Sequence, residues 1–226
     1  MNMKYGKISE SNNINFAIYQ CFEYLSENDQ RKFVKKFNEQ PHESNEIMHT
    51  FRELVLGAFL NSQNLDARYE YEVENKNPDW CIFNNSSVEG IIELLNLHID
   101  ATTEITIAKQ QSSKGIAVYW RDENRNNIER LYFGIEEKIQ KYHTLVNKHG
   151  LFYIISVFPT FELEIDIEEV RDCLYDDNSG LFNLYESISG LLYFEENAGI
   201  YSFIYENNPR SQRTISIPNG RLSLRP

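Results

Sequence analysis

The chain of 226 residues is 41% hydrophobic and 25% charged, with 14 Tyr and 14 Phe. That excludes the low-hydrophobicity disordered class and suits a single domain with a substantial core. The formal net charge of -12 argues against a protein that coats nucleic acid nonspecifically, because phosphate neutralisation by Lys and Arg supplies most of that affinity.

Taken in chain order, the apolar residues Phe16, Ile18, Tyr19, Phe22 and Tyr24 predict a first helix, and Phe33, Val34 and Phe37 a second. A stronger pattern of Ile47, Phe51, Leu54, Val55, Ala58 and Phe59 predicts the main helix over residues 44–62. The character then changes. ARYEYEV alternates as a strand does, PDWCIF begins a second strand after a proline, and EGIIELLNLH is an apolar run suited to a buried strand. Residues 99–127 are polar and irregular, with IAVYW as a short strand candidate.

From Ile128 to His149 the stripe Leu131, Ile135, Ile139, Tyr142 and Leu145 predicts a helix that Gly150 stops. The strand LFYIISVF follows at once, the order expected of a crossover onto a sheet. An acidic helix, DIEEVRDCLY, and two further strands, SGLLYF and IYSFIYE, precede an irregular tail. No stretch approaches the roughly 18 apolar residues of a membrane span, and MNMKYGKISESNN lacks the apolar core of a signal peptide, so no membrane association and a cytoplasmic location are expected. Cys21, Cys81 and Cys173 are widely spaced and odd in number, which predicts buried thiols and neither a disulfide framework nor a CxxC zinc pair.

The chain carries no G-x-G-x-x-G after a strand, no GxxxxGK[ST], no HExxH and no GxSxG, so the common nucleotide, protease and hydrolase readings lose their support. What remains is an ordered set of acids: Glu53 on the main helix, Asp79 opening a strand, Glu93 within the next strand. A carboxylate centred in GIIELLNL is expensive to bury alone, so Glu93 is expected to face a cleft, a cation or a metal. Asp79 after Pro78 also fits a plain turn, and Glu53 also fits a helix-surface acid. His49 and Glu53 share a helix face at i and i+4, a lone pair of a kind that is more often solvated or structural than metal-binding.

The segments FRELVLGAFL, YEYEV, KNPDW and IIELLN, in this order, resemble the core of the PD-(D/E)xK, or restriction-endonuclease-like, nuclease superfamily. ERLYFGIEEKIQKYHTLVNKHGLFYIISVF, with DIEEVRDCLY, SGLLYF and ENNP, is similar to an uncharacterised bacterial branch of it. The resemblance implies an α/β fold with a mixed central sheet flanked by helices over residues 44–226, and an N-terminal helical extension over residues 1–43. It implies a metal-dependent phosphodiesterase acting on DNA or RNA, in which Asp79, Glu93 and Glu53 hold Mg²⁺ or Mn²⁺. The family places a Lys two residues after the strand Glu, on the same face, to orient or activate the attacking water. Here that residue is Leu95, and Lys138 and Lys141 on the following helix are the candidate replacements. Glu53, Asp79, Glu93 and Lys138 are therefore the expected catalytic set. The alternative is a catalytically inactive nuclease-fold protein serving as an interaction or regulatory domain, for which the acidic charge, Leu95 and the 13% aromatic content speak.

Overall fold

Ser11 and Ser26 each accept a backbone N–H from the third residue of the helix that follows, satisfying donors that a helix start leaves free. These caps begin α1 (Asn12–Phe22) and α2 (Glu27–Glu39), and α3 (Ser44–Ser62) follows. The structure is a computed structural model that describes residues 8, 11–40, 44–98, 109, 127–160, 163 and 165–226. After α3 come β1 (Asp66–Tyr69), β2 (Trp80–Asn84) and β3 (Ser87–Leu97), then α4 (Asn127–His149) and β4 (Phe152–Pro159). Helices α5 (Ile167–Tyr175) and α6 (Leu181–Leu184) lead to β5 (Gly190–Asn197), β6 (Ile200–Asn207) and β7 (Gly220–Ser223).

The seven strands lie in sequence order in one mixed sheet. Strands β1, β2 and β3 are antiparallel, β3, β4 and β5 are parallel, and β5, β6 and β7 are antiparallel again. Two-residue loops close both hairpins, with Asn85 and Ser86 at φ 48 and 71 and Ala198 and Gly199 at φ 48 and 79. Positive φ at both positions matches the right-handed twist of the flanking strands.

Each face of the sheet buries its own apolar layer. Helices α1, α2 and α3 cover Trp80, Ile92, Leu94, Ile154 and Phe203, while α4, α5 and α6 cover Ile91, Tyr153, Ile155, Val157 and Leu191. All eight residues of β4 are buried, which is why LFYIISVF reads as a continuous apolar run. Phe22, Phe33 and Phe37 of the N-terminal helices belong to the same core cluster as α3 and the sheet.

The structure departs from the periodicity in three places. The strand expected over ARYEYEV ends at Tyr69, because Glu70 adopts φ 43 and turns the chain out of the pleat. The tail forms β7 against β6, a pairing of four residues, too short for its alternation to register. The single-turn helix α6 is likewise too brief to show a period. IAVYW lies outside the described residues. Cys21, Cys81 and Cys173 are free and buried, and among the described residues no helix is long and apolar enough to cross a membrane.

Candidate functional site

Pairing of Trp80 with Ile92 sets Asp79 across from Glu93 at the start of β2. The Asp79 N–H donates to Glu93 Oε1 at 2.9 Å, and the Leu94 N–H donates to Asp79 Oδ2 at 2.7 Å. Glu93 is fully buried on the face covered by α4, from which Lys138 descends. The Lys138 Nζ lies 2.8 Å from Glu93 Oε2 and 3.9 Å from Asp79 Oδ2, so one ammonium spans the two acids. Lys141 Nζ is 3.7 Å from Glu93 Oε2, with a side chain 54% exposed.

Burial, then the charges of Glu93 and Glu53, push the Asp79 carboxyl up to about 7, against the opposing pull of Lys138 and the Leu94 N–H. Burial draws the Lys138 ammonium down, but Asp79 and Glu93 outweigh it and hold it above the ordinary lysine value.

Leu95 does share the Glu93 face, as strand alternation predicts, and it packs against α4. A Cβ at Gly134 would lie 2.7 Å from Leu95 Cδ1 and 2.8 Å from Cδ2. Gly134 precedes Lys138 by one helical turn, so the close approach it permits brings that lysine to Glu93. A glycine inside a helix costs about 1 kcal/mol relative to Ala, and the fit with Leu95 is the physical reason to keep one here. Gly134→Leu is expected to lower stability by roughly 1–3 kcal/mol through overpacking, and Leu95→Ala in the same chain to recover much of it. Urea denaturation of the four chains of this cycle measures both effects.

Glu53 is 2% exposed and belongs to an adjoining cluster. Its Oε2 accepts from Lys36 Nζ at 2.9 Å and from the Tyr69 hydroxyl at 2.5 Å, and its Oε1 lies 3.0 Å from His49 Nε2. The Asn96 amide meets His49 Nδ1, which fits a tautomer donating from Nε2 to Glu53. Lys36 also reaches Glu70 at 3.0 Å. The indole N–H of Trp80 donates to the Glu53 carbonyl at 3.1 Å, and this approach needs Gly57, where a Cβ would fall 1.8 Å from the ring. Burial alone would raise the Glu53 carboxyl. The His49 hydrogen bond, the Lys36 charge and the Tyr69 hydroxyl more than offset it and hold the group down at about 2.

The structure therefore brings Asp79, Glu93 and Lys138 together and engages both oxygens of Glu53, expected as a third metal ligand, with Lys36, Tyr69 and His49. Among the described residues, no three or more His, Cys, Asp or Glu side chains form a group able to hold a metal ion. Lys148, near the end of α4, pairs with Glu74 at 2.5 Å. Arg130 donates to the His98 carbonyl at 3.1 Å. Lys36, Tyr69 and Asn96 were not foreseen; each sits on an amphipathic helix or strand, and no local spacing marks it. No protein-family model matches the sequence, and no curated protein or solved structure matches the chain.

Proposed function

We propose that the chain is a metal-dependent phosphodiesterase acting on DNA or RNA, built on a restriction-endonuclease-like core whose lysine comes from α4. One observation carries this reading: Asp79 and Glu93 face each other across β2 and β3, with the Lys138 ammonium within 3.9 Å of both. Mg²⁺ is commonly held by one or two carboxylates, with waters and substrate oxygens completing its shell. Two hard carboxylates fit Mg²⁺ or Mn²⁺, and a third protein acid is not needed. When bound, such an ion neutralises developing charge on phosphate oxygens and lowers the pKa of a coordinated water.

The chain's own groups divide the remaining work. Asp79 and Glu93 would hold the ion, each fixed by a backbone or side-chain hydrogen bond that survives without it. Lys138 stays charged at neutral pH, so its task is to stabilise negative charge on the phosphate and orient the attacking water. The half-exposed Lys141 lies where an incoming phosphate would meet it, a local cation in a chain of net charge -12. Glu53 would act through the packing of α3 on Trp80, the residue next to Asp79.

Thermal melts test the reading. Mn²⁺ or Mg²⁺ is expected to raise the melting temperature of the wild type and leave Asp79→Ala unmoved. Single- and double-stranded DNA and RNA oligonucleotides are expected to be cut with Mn²⁺ by the wild type alone. No shift in the wild type, or an equal shift in Asp79→Ala, would overturn the site. Ion binding with every substrate left intact would favour the inactive interaction domain, to which Leu95 already points.

A further inference from the structure

Behind Glu93, the sheet and α4 enclose a hydroxyl that has no hydrogen-bond partner among the described residues: that of Tyr153. Tyr153 lies on β4, fully buried, on the face that α4 covers. In the parallel pairing of β3 with β4 it stands opposite Ile91, and Ile155 stands opposite Glu93. Its ring meets Tyr142 of α4 edge-on, with centroids 6.1 Å apart and planes at 62°. Tyr142 is placed one turn after Lys138, and its hydroxyl donates to the Asn77 carbonyl at 3.1 Å, which leaves its oxygen free to accept. Tyr153 feels the charges of Glu93 and Asp79 without reaching either by a hydrogen bond.

A buried hydroxyl left unsatisfied costs about 1–3 kcal/mol, and folded proteins satisfy the large majority of such groups. Tyr153 is a donor, since burial and then the Glu93 charge keep its phenol protonated. On the same face of the sheet, Glu93 stands two residues along β3 from Ile91, the residue that Tyr153 pairs with, and offers a carboxylate acceptor. A buried water needs two to four polar partners, and the Tyr153 hydroxyl, the Tyr142 hydroxyl and the Glu93 carboxylate supply three. We infer that Tyr153 and Tyr142 hold an internal water molecule against Glu93, which makes Tyr153 a positioning residue for that carboxylate.

The water itself rests on Tyr153, Tyr142 and Glu93 alone; its consequence for ion binding rests on the reading of Glu93 as a ligand. Groups that orient a metal-binding side chain through hydrogen bonds commonly change metal affinity 10–100-fold when removed. Tyr153 would do this through the water, fixing the angle at which Glu93 presents Oε1 and Oε2.

The test uses Tyr153→Phe, which keeps the ring and removes only the hydroxyl. A crystal structure of the metal-free wild type is expected to show an ordered water within hydrogen-bond distance of Tyr153 and Glu93. Tyr153→Phe is expected to melt below the wild type without metal and to bind Mn²⁺ roughly tenfold more weakly by calorimetry. An empty gap in that crystal structure, or a metal-free variant melting at or above the wild type, would overturn the water. Unchanged Mn²⁺ affinity in the variant would overturn the positioning role. A wild type that binds no Mn²⁺ would sink the proposed function and the positioning role with it, while the water is still decided by the metal-free structure and melts.

Discussion

Lys138→Ala is expected to lower the cleavage rate roughly 10²–10³-fold, the scale on which a single preorganised donor stabilises a developing oxyanion. The side chain is 21% exposed and sits over a fully buried Glu93, so its loss also exposes the two acids to each other's charge. Lys141, 3.7 Å from Glu93 Oε2 and half-exposed, still offsets part of the Glu93 charge but is too far out to replace the lost contact. The informative partner variant is Lys138→Ala combined with Leu95→Lys, which returns an ammonium from the strand. A lysine stem can lie over Gly134 where Leu95 lies now, with its head reaching outward past the notch. Recovery of about tenfold over Lys138→Ala is expected, and Asp79→Ala should remove it. Single-turnover cleavage at fixed Mn²⁺ measures all four chains. If Lys138→Ala cuts like the wild type, the ammonium on α4 has no part in the chemistry.

Lys36→Met is expected to cost about 3–5 kcal/mol, because it leaves the buried Glu53 carboxylate without its cation. Tyr69 and His49 still donate to Glu53, but neither is the cation that Lys36 supplies at 2.9 Å. Adding Glu53→Leu should recover much of the loss, since an apolar pair in place of a buried ion pair is often neutral. The acid limb of stability carries the same signature. Glu53 is held at about 2 in the folded chain against an ordinary 4.5, so its contribution is complete above about 4.5 and fades as pH falls toward 2. In Lys36→Met the folded value rises, and the protein should lose less between pH 5 and pH 3 from a lower starting point. Urea denaturation at pH 7, 5 and 3 would show it; equal acid slopes in both chains would remove Lys36 as the cause.

Most of the helices and strands were legible because each shows an apolar period of its own. Residues 44–62, the Leu131 to Leu145 stripe and the runs GIIELLNL and LFYIISVF all became elements near the expected places. That Asp79 and Glu93 stand on neighbouring strands was legible too, but their direct opposition depends on a register shift between Ile82 and Phe83, since the two-residue turn alone would set Asp79 across from Ile92. Lys138 was nameable as a replacement cation because the helix following β3 had to cross back over the sheet.

Other features depended on groups far apart in the chain. The burial of Glu53 was invisible in FRELVLG, because its partners Lys36 and Tyr69 arrive from another helix and a strand. The packing of Leu95 against Gly134 and the meeting of Tyr153 with Tyr142 depend on how closely α4 approaches β3 and β4. Strand β7 had no apolar run long enough to announce itself and exists because β6 offered an edge. Sequence periodicity by itself determined which face of each element is apolar and which acids stand on neighbouring strands. Only the tertiary structure decided which charge meets which, because a hydrogen bond or ion pair is selective over a few ångströms, and that distance is set by the packing of whole elements.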